Sequence, residues 1–149
     1  MRLNMPEYND KYPACKRTYA TLRIYPGGIS PEDITKRLKI KPTSIQRKGD
    51  LAGRTKRRVI KLNGWFLTTK GKIKSADSRR HIDWILEKIK DKKRVLRQLQ
   101  SERVDIDISC FWESRSGNGG PTISPPQMTG LSKLNIEVWW DVYFFDFDE

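Results

Sequence analysis

Residues 104 to 145 constrain the fold more than any other stretch, because two alternating runs bracket a loop and a capped helix start. In the first run Val104, Ile106, Ile108, Cys110 and Trp112 fall on one side, with Asp105, Asp107, Ser109 and Phe111 on the other. Successive side chains of a strand point to opposite faces, so this pattern predicts a half-buried strand. In the second run Ile136, Val138, Trp140, Val142 and Phe144 alternate with Glu137, Trp139, Asp141, Tyr143 and Phe145. Between them Ser124 stands as a helix N-cap, Pro125 at the first helical position and Gln127 where it closes a capping box. Ile123 and Met128 are spaced as a hydrophobic staple. The stretch predicts strand, glycine-rich loop, helix and strand, and names no reaction.

The front of the chain follows the same plan. Ala20, Leu22 and Ile24 alternate with Tyr19, Thr21, Arg23 and Tyr25, and Pro26-Gly27-Gly28 ends the strand. A helix is predicted from Ser30, with Pro31 at its first position, Asp33 as reciprocal cap and Ile29 stapled to Ile34. Each helix start follows a strand and precedes a Leu-x-Ile step, Leu38-Lys39-Ile40 and Leu134-Asn135-Ile136, with Ile34 and Leu38 on the apolar side of the first helix. Two strand–helix–strand units built alike predict an α+β fold with a ferredoxin-like sheet of four to five strands. S-P-x-x is a common helix opening, so the likeness concerns architecture and does not require common ancestry. Between the units, Asn63-Gly64 signals a tight turn that would pair 57–62 with Trp65–Thr69 as a hairpin. Ile82, Ile85, Leu86, Ile89, Leu96 and Leu99 then recur at helical spacing, predicting one long helix over about 77–100 or two with a bend at 90–94.

A chain of 149 residues suits one domain. The boundaries expected are a polar arm over 1–16, the domain over 17–145 and an acidic tail over 146–149. No apolar run approaches the roughly 20 residues of a membrane span, and the first residues have no secretory apolar core. Two cysteines, Cys15 and Cys110, are too few for a disulfide scaffold, and with one histidine they match no zinc spacing. A reducing cytoplasm is the expected location, with neither cofactor nor metal required.

The segments TYATLRIY, ISPEDITKRLKIKPT followed by RKGD, NGWFLTT, HIDWILEKI, VDIDISCFWES and GNGGPTISPPQM leading to WWDVYF occur in an order that resembles a known family. They look like the small bacterial domain of unknown function family 4279, over roughly residues 17 to 145. The resemblance implies a compact α+β domain, often a whole protein. It implies no established activity and transfers no catalytic residues. The density of charge over 54–61 is unusual for such a domain, so a function resting on it belongs to this member.

The formal net charge is +12, unevenly placed. Lys36, Arg37, Lys39, Lys41, Arg47, Lys48, Arg54, Lys56, Arg57, Arg58 and Lys61 are opposed only by Asp50, whereas from residue 137 onward five acids meet no base. Such asymmetry suits an anionic partner; it also suits a merely solvated surface. The loop Gly117-Asn118-Gly119-Gly120, with Arg115 beside it, precedes a helix as phosphate-cradling loops do. It lacks G-K-S/T, and Pro-Thr-Ile separates it from the cap, so a flexible connection explains it equally. His81 lies beside the apolar helix stripe with no nucleophile in view, the usual setting of a structural histidine. Asp105 and Asp107 point outward and read as solvated strand residues before a Mg²⁺ site shared with Asp141.

The alternation also gathers Tyr19, Arg23, Tyr25, Phe111, Trp139 and Tyr143 on one sheet face. Helices cover only one face of a ferredoxin-like sheet, so this face is open, self-paired or covered. Aromatics beside arginine stack bases in several single-strand binders, and they are enriched equally in protein interfaces. The expectation is a non-catalytic domain that engages an anionic macromolecule, nucleic acid first. An immunity- or inhibitor-type protein with an acidic protein partner is second, and an enzyme using the glycine loop or His81 is third. No membrane partner is expected, and a homodimer through the open face is allowed.

Overall fold

A computed structural model describes residues 7–144 of the chain. In chain order its elements are β1 (Cys15–Tyr25), α1 (Pro31–Leu38), β2 (Ser44–Gln46), β3 (Leu51–Ala52), β4 (Arg58–Val59), β5 (Gly64–Thr68), α2 (Ser78–Ile89), α3 (Lys93–Ser101), β6 (Asp105–Ser114), α4 (Pro125–Leu134) and β7 (Glu137–Tyr143). A five-stranded sheet runs in the order β2-β5-β1-β6-β7, and β3 and β4 form a separate two-stranded hairpin. Neighbours are antiparallel except β6 and β7, which α4 joins in parallel. β1 is central because it is paired along both edges, with β6 over nearly its whole length and with β5 from Thr21 to Ile24. The fold is α+β, as expected.

All four helices pack on one face of the sheet. Ala20, Leu22, Ile24, Trp65, Leu67, Ile108 and Cys110 from the strands meet Ile34 and Leu38 of α1, Ile82, Ile85 and Ile89 of α2, Leu96 and Leu99 of α3, and Leu131 and Leu134 of α4 in one cluster. The alternation in β1 and β6 thus puts the expected residues inside. Both capped helix starts also form. Ser30 accepts from Asp33 N at 3.1 Å, and Ser124 N donates to Gln127 Oε1 at 3.0 Å.

Each Leu-x-Ile step ends its helix: its middle residue, Lys39 or Asn135, is a left-handed cap at φ 57° or 54°. Chain then reaches β7 at once, but reaches β2 only at Ser44. The two units also cross differently, since β5 lies between β1 and β2 whereas β6 and β7 are neighbours. At α4 the expected staple residue Met128 is half exposed, while Ile34 at the equivalent place in α1 is buried.

Asn63-Gly64 makes no hairpin. β4 pairs with β3, and β5 pairs with β1 and β2. Gly64 is there for space: a Cβ would lie 2.6 Å from the Phe66 ring and 2.9 Å from Gln46 Cγ across the strand pair. Asn63 instead ties loops, accepting from Lys48 N at 2.8 Å and donating to Gly27 O at 3.2 Å. The long helix is two helices, broken by a 3-10 turn at Lys90–Lys92, where the charged run interrupts the apolar stripe.

Candidate functional site

The face of the sheet opposite the helices carries the constellation expected from alternation. Tyr19 stands across from Phe111, Arg23 across from Asp107, and Trp139 beside Ser109. Tyr19 and Phe111 stack at 4.7 Å between ring centroids, and Tyr143 lies 5.2 Å beyond Phe111. Arg23 donates through Nε and Nη2 to both carboxylate oxygens of Asp107 at 2.7 Å, with its guanidinium over Tyr25 at 5.7 Å and Trp139 at 5.4 Å. That fork engages Asp107, so it is no open metal ligand. Arg17 sits 5.0 Å from the Phe111 ring centre, and Lys70 sits 5.2 Å from that of Tyr19. Trp139 and Tyr143 are 50 and 43% exposed, whereas the earlier strands shelter Tyr19, Tyr25 and Phe111 to a half-buried state. Phe66 joins the row against Tyr25 at 5.8 Å. It was missed because its strand was expected to pair with 57–62 and not with β1.

The basic segment divides by pairing. Arg37 is held by Asp33 at 2.9 Å and Glu102 at 2.6 Å, joining α1 to the end of α3. Arg47 forks onto Glu32. Lys36, Lys39, Lys41, Lys48 and Lys61 are exposed around α1 and the loops that follow. Arg54, Lys56, Arg57 and Arg58 project from the β3–β4 hairpin, exposed and without an ion pair among the described residues. This hairpin leaves the sheet between Gln46 at the end of β2 and Gly64 at the start of β5, the end of the sheet where β1 finishes at Tyr25.

The glycine loop is built into the domain. Gly117 N donates to Ser114 Oγ at 2.9 Å, and Ser114 Oγ donates to Asn118 O at 2.7 Å. Gly119 has φ 83°, and a Cβ there would lie 2.6 Å from Ala14 Cβ. Close approach of residues 12–14 therefore explains this glycine. Gly120 has open space around it, and Arg115 is exposed.

A buried polar cluster at the start of α2 was not foreseen. Arg79 is 9% exposed and donates to Asp77 through Nη2 at 2.6 Å, to Ser124 Oγ at 3.1 Å and to Glu7 O at 2.9 Å. Burial would raise the Asp77 carboxyl, but donors from Arg79 and the Asn9 amide outweigh it and hold the group below its ordinary value. Asp83 accepts from Gln127 Nε2 at 2.9 Å and from the Tyr8 hydroxyl, whose pKa burial and Asp83 push up to about 12. Asp10 is gripped by Arg80 at 2.7 and 2.9 Å and held down to about 2 by those bonds. The described part of the polar arm is thus fastened to α2. One signal was available: Arg79 lies three residues before Ile82 on the buried stripe, a position that requires a partner for a charged side chain.

His81 is fully buried with both ring nitrogens engaged, Nε2 with Ser75 O at 2.9 Å and Nδ1 with Thr69 Oγ1 at 2.6 Å. A carbonyl only accepts, so Nε2 carries the proton and Nδ1 accepts from the Thr69 hydroxyl. Burial lowers its pKa, favouring this neutral form. Cys15 and Cys110 are free, buried thiols that desolvation pushes up to about 11, well above the range of reactive thiolates.

The segments that build this sheet, its open face and its arginine-bearing helix span a family profile described as Domain of unknown function (DUF4279), which matches residues 16–145. The chain belongs to the DUF4279 family. No curated protein and no solved structure matches it. The DUF4279 match starts at β1 and ends just after β7, so it covers the whole sheet together with the hairpin.

Proposed function

We propose that this DUF4279 protein is a non-catalytic binding domain whose cationic surface engages an anionic macromolecule, with nucleic acid as the first candidate and the cytoplasm as its location. The observation that carries this reading is the hairpin: Arg54, Lys56, Arg57 and Arg58 are exposed without carboxylate partners, while Arg23, Arg37, Arg47, Arg79 and Arg80 are each paired. Cations held free of internal partners are available to displace counterions from phosphates. The expected ferredoxin-like arrangement is supported by the order β2-β5-β1-β6, all antiparallel, with α1 after β1 and α2–α3 before β6. In that reading α4 and β7 extend the sheet by one strand and lengthen its open face. Among the described residues no helix is long and apolar enough to cross a membrane.

A specific observation favours a second reading, an acidic protein partner. Leu51, Val59 and Leu62 are 58, 53 and 57% exposed around the hairpin cations. Apolar side chains interleaved with basic ones suit a protein interface better than a phosphate backbone. Purification at low salt separates the two. Bound material that absorbs at 260 nm and is removed by nuclease supports nucleic acid; a stoichiometric acidic protein resistant to nuclease supports the second reading. The open face has its own test in Trp139→Ala. If it stacks bases, single-strand binding weakens by about 1–3 kcal/mol with the fold intact. If it is a dimer interface, sedimentation shifts toward monomer. A stable monomeric variant with wild-type binding removes both roles.

A further inference from the structure

At the opposite end of β1 from the hairpin, a groove of about 660 Å³ opens between residues 10–13, the first residues of β1, the turn 70–74 and Arg115. Its volume lies within the roughly 300–1,000 Å³ range of small-molecule sites. Six cations line it: Lys11, Lys16, Arg17, Lys70, Lys74 and Arg115. The one carboxylate in the lining, Asp10, is already held by Arg80 and by Ser75 Oγ at 2.6 Å. Lys16 and Arg17 share Glu113 at 3.5 and 3.7 Å. That leaves Lys11, Lys70, Lys74 and Arg115 with no ion-pair partner among the described residues. They come from three separated places in the chain, Lys11, the turn holding Lys70 and Lys74, and Arg115, so the fold and not a local run concentrates them. Tyr12 and Tyr19, both half-buried, supply ring surface between these charges.

A single carboxylate would leave most of this charge uncompensated, whereas a phosphomonoester brings up to two negative charges and three acceptor oxygens. A planar ring attached to it would meet the tyrosines. We propose that the groove binds a mononucleotide unit, its phosphate among Lys70, Lys74 and Arg115 and its base against Tyr12 or Tyr19. The unit is either a free nucleotide or the phosphorylated end of a strand. This site goes beyond the hairpin reading and stands or falls without it.

Calorimetric titration with AMP, adenosine and inorganic phosphate tests the proposal. AMP should bind at least tenfold more tightly than either of the others. Replacing Lys70, Lys74 and Arg115 by Ser should weaken AMP at least tenfold without lowering the melting temperature of the free protein, since Lys70, Lys74 and Arg115 are exposed. Replacing Arg54, Lys56, Arg57 and Arg58 by Ser should leave AMP binding unchanged, which separates this site from the hairpin. A 5′-phosphorylated hexanucleotide binding tenfold more tightly than both its 5′-hydroxyl form and AMP identifies a strand end; AMP binding at least as tightly as the hexanucleotide identifies a free nucleotide. No AMP binding, equal binding of AMP and inorganic phosphate or of AMP and adenosine, wild-type binding by the groove variant, or equal weakening by the hairpin variant would overturn the proposal.

Discussion

Two Arg-Arg pairs in this chain have opposite fates. Arg79 and Arg80 open α2, where one is buried against Asp77 and the other grips Asp10. Arg57 and Arg58 stand on the hairpin, exposed and without ion pairs among the described residues. The same residue type is fold in one region and free charge in the other. Net charge therefore says little about binding until the paired cations are set aside. What remains includes the cations of the hairpin and of the groove at the far end of β1, beside others such as Lys36 and Lys39 near α1 and Lys93, Arg94 and Arg97 on α3.

The contrast predicts its largest effect at Arg79. Arg79→Ala leaves Asp77 buried without its counter-ion and should cost about 3–5 kcal/mol of stability. Arg57→Ala should fall within about 0.5 kcal/mol of wild type, as exposed substitutions do. Urea denaturation of the two variants measures both. Comparable losses would erase the distinction between the regions.

A smaller effect is expected at the helix caps. Ser30 is a cap only, while Ser124 Oγ also accepts from Arg79. Ser124→Ala should lie toward 2 kcal/mol and Ser30→Ala toward 0.5 kcal/mol in the usual range of about 0.5–2. Equal shifts in denaturation midpoint would mean that the joint between α4 and α2 contributes nothing.

Acid should act on the region around α2. His81 is the chain's one histidine, and its folded pKa lies below the unfolded value of about 6.5. The unfolded chain therefore takes up a proton that the folded chain refuses, so the contribution is complete above that value and lost as pH falls toward the folded one. Asp77 and Asp10, both lowered, contribute above the unfolded carboxylate value of about 3.9 and lose it on further acidification. Denaturation midpoints should drop between pH 7.5 and 5.5 for wild type and stay level for His81→Gln. A drop of the same size in the variant would assign the dependence elsewhere.

These regions also differ in how well they could be read in advance. Strand periodicity showed β1, β6 and β7 and their open-face aromatics, because alternation is local and one face is buried in β1 and β6 and half-buried in the edge strand β7. Helix starts at Ser30 and Ser124 were legible for the same reason: a cap is written within four residues. Pairing was not legible. Gly64 looks like a turn until the Phe66 ring and Gln46 are known to lie against it, and β3–β4 is too short to show a period. The arm's attachment to α2 depends on partners about 65 to 75 residues away, such as Tyr8 with Asp83, which no local pattern encodes. The groove was invisible for the same reason, since its unpaired cations converge only in the folded chain.

The central claim is that unpaired hairpin cations bind phosphate while paired ones hold the fold, and salt dependence tests it most directly. For wild type and for the variant with Ser at 54, 56, 57 and 58, nucleic-acid affinity is measured on a duplex at several salt concentrations. If the four cations neutralise four phosphates, the slope of log K against log salt should flatten by about 3.6 in the variant, since each phosphate contributes about 0.9. The melting temperature should stay within about a degree or two of wild type. An unchanged slope, with the variant folded, would contradict the account.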